Sequence, residues 1–556
     1  MLLGVFLVAL LVRVVAALPF TGPAYADSFY YVSVARQLAA GAGYTIDYIW
    51  NFVDVGGRLP AVGQLPIPAG AHWMPLGVLV QVPFILLLGD HALAYSLPFW
   101  LVGALVAPLV VVIARDAGLP RTTVVGGAVL SVAPLGVLPF LTQPDNFALY
   151  MLLGALALWL CARGAAGDGR AFLLGGLIVG LATLSRNDGV LLGLPFALTF
   201  LAGRWRIWRD RGDDHRPAIG WGAAFGCFAI FLIVVAPWYA RQLEVFGSLS
   251  PSAASGRILF IQSYRELYSV TTETTLGSFL SQGPGPILAS RLQGLVDAVK
   301  WFAVVPFLVY LVPFGVIGFW HHRRATWSRP WAVYLVALFA FSALVSAYHV
   351  DHGTFLHSAV ALVPHGYLLA FEGIRVAVVA AARRLQHWEP GRATRNFTVM
   401  ALGVSLVGSV GATIKATGGW RDVQDSREAI AAYLRARPAE ERVMSPEPGA
   451  YHHLAARSGI VTPDDPLPVV EQAMRLYDVR WLVLERDYTT EALAPVLLGE
   501  AEPSWLSDPL VLIPGGTAGG QDPAPAPGSP VPARLRAPRA VLFAVCFQPG
   551  DDRCDR

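Results

Sequence analysis

The feature that most constrains this chain is the length of its apolar runs. Stretches with almost no charge recur near 2–20, 92–113, 122–140, 147–162, 218–240, 299–320, 331–348, 354–378 and 396–416. Each approaches the roughly 20 residues that a helix needs to cross a bilayer core of about 30 Å. A shorter pair, 171–184 and 190–203, is separated by Ser185-Arg186-Asn187-Asp188-Gly189 and reads as two short crossings joined by a tight hairpin. Soluble domains carry about 25% charged residues; here the fraction is 14%, with 55% hydrophobic residues and a mean hydropathy of +0.53. The sequence therefore predicts an α-helical polytopic membrane protein with about eleven transmembrane helices. Segment 2–20 lacks a basic stretch before it and is long enough to span, so it is read as an uncleaved first helix rather than a signal peptide.

Charge asymmetry orients the bundle. With the N-terminus cytoplasmic and the apolar stretch 75–88 lying at the interface, arginines crowd one set of loops: 114–121, 163–170, 204–217, 321–330 and 379–396. The segments on the other side, 19–90, 141–146, 185–189, 241–298 and 349–353, are poor in them, which is the bias expected between cytoplasmic and external loops. Counting 75–88 as a further span would place several arginine-rich loops outside. Within the first external loop, 19–90, the segment 29–40 has helical spacing with an amphipathic face and reads as a helix on the membrane surface, ended by Gly41 and Gly43. These assignments put an integral plasma-membrane domain at 1–417.

Charges, proline and glycine return after about 417. Segment 426–436 reads as an amphipathic helix and Trp481-Leu482-Val483-Leu484 as a buried strand, so 418–556 is expected to form a small C-terminal α/β domain on the extracytoplasmic face. The Gly- and Pro-rich stretch 515–533 reads as a loop or linker. Cys161 and Cys227 fall in apolar segments and read as packing residues, whereas Cys546 and Cys554 can close a short-loop disulfide if this domain meets an oxidising compartment. The formal net charge is +3, and no basic run interleaves with aromatics, so a nucleic-acid partner is not expected.

Several polar residues stand at the external ends of the apolar segments. Asp27 reads either as the cap of helix 29–40 or as a carboxylate placed where a lipid head group and a water-soluble acceptor meet. Asp145, in the short loop 141–146, carries the same two readings. Arg186 and Asp188 interrupt the hairpin 171–203; they form either a turn-closing pair or a phosphate-holding site. His72 precedes Trp73-Met74-Pro75. His349, Asp351, His352 and His357 surround the loop at 349–353 without the ligand spacing of a zinc site, and phosphate contact, metal binding and a structural role all remain open for them. Arg13, inside the first span, must face the bundle interior or snorkel.

The order of these features resembles the glycosyltransferase C superfamily, in particular the protein O-mannosyltransferase and lipid A aminoarabinose transferase branch (glycosyltransferase family 39-like). The resemblance rests on Arg13 in the first span, then Asp27 followed by Tyr30-Tyr31, Ala35, Leu38, Gly41 and Gly43-Tyr44. It continues through His72-Trp73-Met74-Pro75-Leu76-Gly77, Gln143-Pro144-Asp145-Asn146-Phe147, Leu184-Ser185-Arg186-Asn187-Asp188-Gly189 and the stretch from His357 to Pro364. It implies transfer of a sugar from a polyprenyl-phosphate-sugar donor to a lipid, glycan or protein acceptor on the outer face, with inversion. In that reading Asp27 is the general base and Asp145 a second catalytic carboxylate. Arg186, His357 and His352 hold the donor phosphate, and His72, Tyr30 and Asp188 line the substrate. No cofactor is assigned, and a divalent cation is left open. A transporter or flippase of a lipid-linked substrate is the alternative; the absence of an internal repeat and the long first loop weigh against it.

Overall fold

In the computed structural model, residues 1–209, 219–249, 258–384, 388–515 and 538–547 are described. Two compact units emerge. The first comprises Met1–Gly22, Trp73–Ser252 and Gln282–Gly418; the second comprises Pro23–His72, Ala253–Ser281 and Gly419–Arg556. The second unit thus draws on the first loop and on the segment before 282 as well as on the C-terminal stretch.

The first unit is helical. Among the described residues, six helices are long and apolar enough to cross a membrane: Ala92–Asp116, Asn146–Ala165, Asn187–Trp208, Trp221–Phe246, Phe355–Ala382 and Pro390–Arg435. Shorter apolar helices are Leu2–Ala17, Leu76–Leu88, Arg121–Val137, Gly169–Ser185 and Arg329–Leu344. The expected single span at 299–320 is broken. Helix Pro284–Val304 stops, Leu308 and Val309 take positive φ angles of 45° and 62°, and a new helix runs Val312–His322. Expected span 122–140 is also interrupted: its α-helix is Arg121–Val132, followed by 3-10 turns at Leu135–Val137 and Phe140–Thr142. Pro134 and Pro139 account for this, since each lacks the N–H that would continue the ladder.

Arg13 faces the interior. It is fully buried, and its guanidinium donates to the Ala9, Val132 and Ser131 carbonyls at 2.9, 3.2 and 3.4 Å. The last two belong to the final turn of Arg121–Val132, where carbonyls have no donor within the helix. The arginine is therefore a cap supplied from a neighbouring helix.

The second unit is built on a mixed sheet. Strands β1 (Thr45–Ile46) and β3 (Ile67–Pro68) form a separate antiparallel pair. β2 (Tyr48–Ile49), β4 (Arg442–Ser445), β5 (Gly459–Val461), β6 (Val479–Glu485), β7 (Val511–Ile513) and β8 (Ala540–Ala544) form one sheet in the order β2-β5-β4-β6-β8-β7. The first four run parallel, with helices Pro448–Ala455 and Leu467–Leu476 as crossovers, while β8 and β7 are antiparallel additions. Every residue of β8 is buried, as a central strand requires. The expected strand at 481–484 is the middle of β6, and the expected helix at 426–436 is the end of Pro390–Arg435. Segment 258–281 is fastened to this unit by two adjacent carboxylates. Asp464 pairs with Arg265 at 2.6 Å, and Asp465 accepts from Ser269 Oγ at 2.8 Å and Val270 N at 2.7 Å. Cys546 is disulfide-bonded; Cys554 and nearly all of the linker at 515–533 lie outside the described residues.

Candidate active site

Asp145 ends an extended residue and begins helix Asn146–Ala165, so its carboxylate caps that helix by accepting the Asn146 N–H. It does more than cap. Asp145 is fully buried, and its Oδ2 lies 3.0 Å from His357 Nε2. The other ring nitrogen of His357, Nδ1, lies 2.9 Å from the Gly353 carbonyl oxygen. Both nitrogens face oxygen atoms, an arrangement that an imidazolium paired with a carboxylate satisfies. The imidazole also stacks on Phe147, with ring centroids 3.9 Å apart.

The next residue, Ser358, joins this pair to a second one. Arg186 Nε donates to Asp188 Oδ1 and to Ser358 Oγ, each at 3.1 Å. Ser358 Oγ in turn donates to the second oxygen of Asp188. The guanidinium lies 5.9 Å from the centre of the Tyr150 ring, within cation–π range. Tyr150 and Tyr334 share a hydroxyl hydrogen bond of 3.0 Å, and Tyr334 donates to the Ser358 carbonyl at 3.2 Å. Ser185 Oγ lies 3.4 Å from Asn146 Oδ1. Asp145, Arg186, Asp188 and His357, separated by up to 212 residues in sequence, therefore form one polar network in the first unit. Close packing backs it: Gly154, on the helix that Asp145 caps, faces Ala361 so tightly that a Cβ would sit 2.9 Å from the Ala361 Cα.

His352 lies in the exposed turn before Thr354–Ala359. Asp351 is turned toward Trp301 Nε1 at 2.6 Å and Lys300 at 3.5 Å. Among the described residues, His349, Asp351 and His352 do not join His357 as a set of metal ligands; the ligand atoms that lie within 4.8 Å of one another there include those of His357 and Asp145.

Asp27, Tyr30 and His72 belong to the second unit. Asp27 is half-buried in the first turn of helix Ala26–Ala39 and is not its cap. Tyr25 is the N-cap residue, and Ser28 Oγ accepts the Ala24 and Tyr25 N–H groups at 3.3 and 3.2 Å. Tyr30 Oη accepts the Gly70 N–H at 2.6 Å; burial first, then Tyr44 and Asp54, push its phenol well above the usual range. His72 lies against Trp50, ring centroids 5.3 Å apart. Ser358, Tyr150 and Tyr334 escaped the sequence reading. Ser358 had only its adjacency to His357 to mark it, and the tyrosines sit inside apolar helices as packing residues do.

Residues 73–239 match the family model described as dolichyl-phosphate-mannose-protein mannosyltransferase. Asp145, Arg186 and Asp188 fall within the matched segment, and Asp27 and His357 outside it. No curated protein matches the chain. Among solved structures, ArnT from Cupriavidus metallidurans bound to undecaprenyl phosphate is similar at 15% identity and a TM-score of 0.55, over 98% of this chain and 97% of that one. The oligosaccharyltransferase of Archaeoglobus fulgidus in complex with Zn and sulfate is similar at 15% identity and a TM-score of 0.52, over 92% of this chain and 72% of that one. In its matched segment and in its fold, the chain resembles the glycosyltransferase C superfamily of membrane proteins.

Proposed function

We propose that this protein is a membrane glycosyltransferase that moves a sugar from a polyprenyl-phosphate-linked donor to an acceptor hydroxyl on the extracytoplasmic face. The observation that carries the reading is a likeness over nearly the whole chain to a protein whose structure holds undecaprenyl phosphate, combined with the Arg186–His357 network. In such a donor the anomeric carbon already bears a phosphate leaving group. The acceptor oxygen attacks that carbon, the C1–O bond breaks with its electron pair leaving on the polyprenyl phosphate, and the acceptor proton goes to a carboxylate base. Asp27 takes the role of base. Its helix caps itself through Ser28, so the carboxylate is not needed for that purpose. Arg186 and His357 supply positive charge to the departing phosphate, with Asp145 and Asp188 setting their orientation. His352 is assigned to the donor phosphate with Arg186 and His357, and His72 and Tyr30 to substrate contact. Attack opposite a fixed leaving group inverts the anomeric centre.

The test uses full-length protein in lipid vesicles with undecaprenyl-phosphate-linked hexoses and pentoses, scored by release of undecaprenyl phosphate. Release by the wild type and its loss in Asp27→Asn, with insertion and melting unchanged, is the expected result. Equal release by both removes Asp27 as base; no release from any donor removes the transferase reading.

A further inference from the structure

The second unit carries a group of ionisable side chains that the mechanism above leaves unused. Glu447 stands at the N-cap position of helix Pro448–Ala455. This helix approaches Ala26–Ala39, whose first turn bears Asp27, so closely that residue 449 has no room for a side chain. A Cβ there would lie 2.8 Å from Tyr48 Oη and 3.0 Å from Phe29 Cβ. The Glu447–Gly449 turn therefore abuts the start of Ala26–Ala39, next to Asp27. Phe29 and His453 also meet across this approach, with ring centroids 5.9 Å apart.

Other elements enclose the same spot. Tyr264 and Tyr268, ring centroids 6.0 Å apart, come from segment 258–281 and interact electrostatically with both Asp27 and Glu447. Tyr48, Tyr451 and Tyr488 also feel the Glu447 charge. The nearby cation, Arg427, is committed to Glu485 at 2.8 Å, with both side chains under 10% exposed, and Tyr451 Oη donates to the same Glu485 at 3.0 Å. Glu447 Oε1 is buried with no hydrogen-bond partner. A buried carboxylate oxygen left in this state is costly, and nothing in the packing of the sheet requires it.

We propose that Glu447 is a positioning residue for the base, setting the proton affinity of the Asp27 carboxylate through the charge it places beside it. The proposal rests on Asp27 being the base. The physical case is an opposition of fields. A carboxylate in the first turn of a helix is stabilised in its charged form and is a weaker base for it; a second carboxylate in the same low-dielectric cluster has the opposite effect. The influence is mutual. Burial above all, then Glu485 and Asp27, raise Glu447 to about 7, while Arg427 and the Gly449 N–H act the other way. Glu447 ionises as pH passes through neutrality, and its charge strengthens the base at that point. The two carboxylates titrate as a coupled pair.

The consequence is a rise in kcat/KM between pH 6 and 8. In Glu447→Gln this rise disappears, and release of undecaprenyl phosphate at pH 8 falls about three- to tenfold, while the rate at pH 5.5 stays near the wild type. Glu447→Asp keeps the rise. A wild-type profile flat between pH 6 and 8 overturns the proposal without any variant, and so does a Glu447→Gln profile that keeps the rise or loses rate equally at every pH. If Asp27→Asn abolishes release while Glu447→Gln keeps the wild-type profile, only this inference falls. If Asp27→Asn retains release, the base assignment falls and takes this inference with it.

Discussion

Gly154→Ala perturbs the candidate site without touching a polar group in it. The new Cβ would lie 2.9 Å from the Ala361 Cα and nearer still to its Cβ, whereas ordinary carbon contacts begin near 3.5 Å, so the 357–361 segment must retreat by about 1 Å. His357 is held to Asp145 at 3.0 Å. A rigid retreat stretches that bond to about 4 Å, beyond hydrogen-bond range. A hydrogen bond to a charged group is worth about 1.5–3 kcal/mol, which corresponds to a loss of roughly 10- to 150-fold if it is felt in the transition state. Displacements of 1 Å near a reacting centre cost about 100-fold on independent grounds. The assay is release of undecaprenyl phosphate by purified Gly154→Ala protein in vesicles, beside a thermal melt in detergent. A fall in kcat/KM of about 100-fold is expected, with partial recovery in Gly154→Ala/Ala361→Gly because the second change removes the opposing Cβ. Wild-type turnover in Gly154→Ala, at any melting temperature, would refute the argument that this packing sets the Asp145–His357 geometry.

Other perturbations separate the remaining parts. Arg186→Lys keeps the charge but loses the Nε that bridges Asp188 and Ser358, so kcat/KM should drop by about 10- to 100-fold with little change in melting; equal turnover would mean that charge alone suffices. Arg427→Met should lower the melting temperature sharply, because removing one partner leaves Glu485 as a buried, unpaired carboxylate, a cost of about 3–5 kcal/mol; an unchanged melt would contradict the pairing. Asp54 is raised to about 7 by burial, against the Asn51 hydrogen bond. A carboxyl raised in the folded state binds its proton more tightly there, so its contribution is lost as pH rises from about 4 through 7. Asp54→Asn should therefore melt close to the wild type at pH 4 and above it at pH 8, and a gap that does not widen with pH would refute the assignment.

The fold was legible where apolar runs are long and unbroken, as at 147–162 and 218–240, because period and length leave a single option in a bilayer. It was misread at 299–320, where continuous hydropathy hid a break that Pro306, two residues past the end of helix Pro284–Val304, does mark; Leu308 and Val309 complete the break with left-handed φ angles. The C-terminal strands were partly readable, Trp481–Leu484 from its buried run, whereas β2 could not be assigned from a two-residue segment whose partner, β5, lies more than 400 positions away. Four of the candidate residues meet in one network, and the sequence marked them by the cost of placing charge between apolar segments. Ser358 carried no such mark, since a serine hydroxyl in an apolar helix commonly satisfies itself on its own backbone, and Tyr150 and Tyr334 read as packing residues.

The sequence posed capping and function as rival readings of Asp145 and Asp27, and the geometry shows that they need not compete. A helix N-terminus bears a partial positive charge and unsatisfied N–H groups, so it is the least costly place in an apolar bundle to bury a carboxylate. Asp145 uses the Asn146 N–H for this and still has an oxygen for His357. Capping is what allows the charge to be there, and the remaining lone pairs are what make it usable. Asp27 stands differently: Ser28 Oγ accepts the Ala24 and Tyr25 N–H groups, and the Asp27 carboxylate lies in the field of the first turn. A carboxylate in the field of a helix start is held charged at low cost, and in the proposed mechanism the two aspartates divide along this line: Asp145 faces the His357 ring, and Asp27 is assigned the acceptor proton.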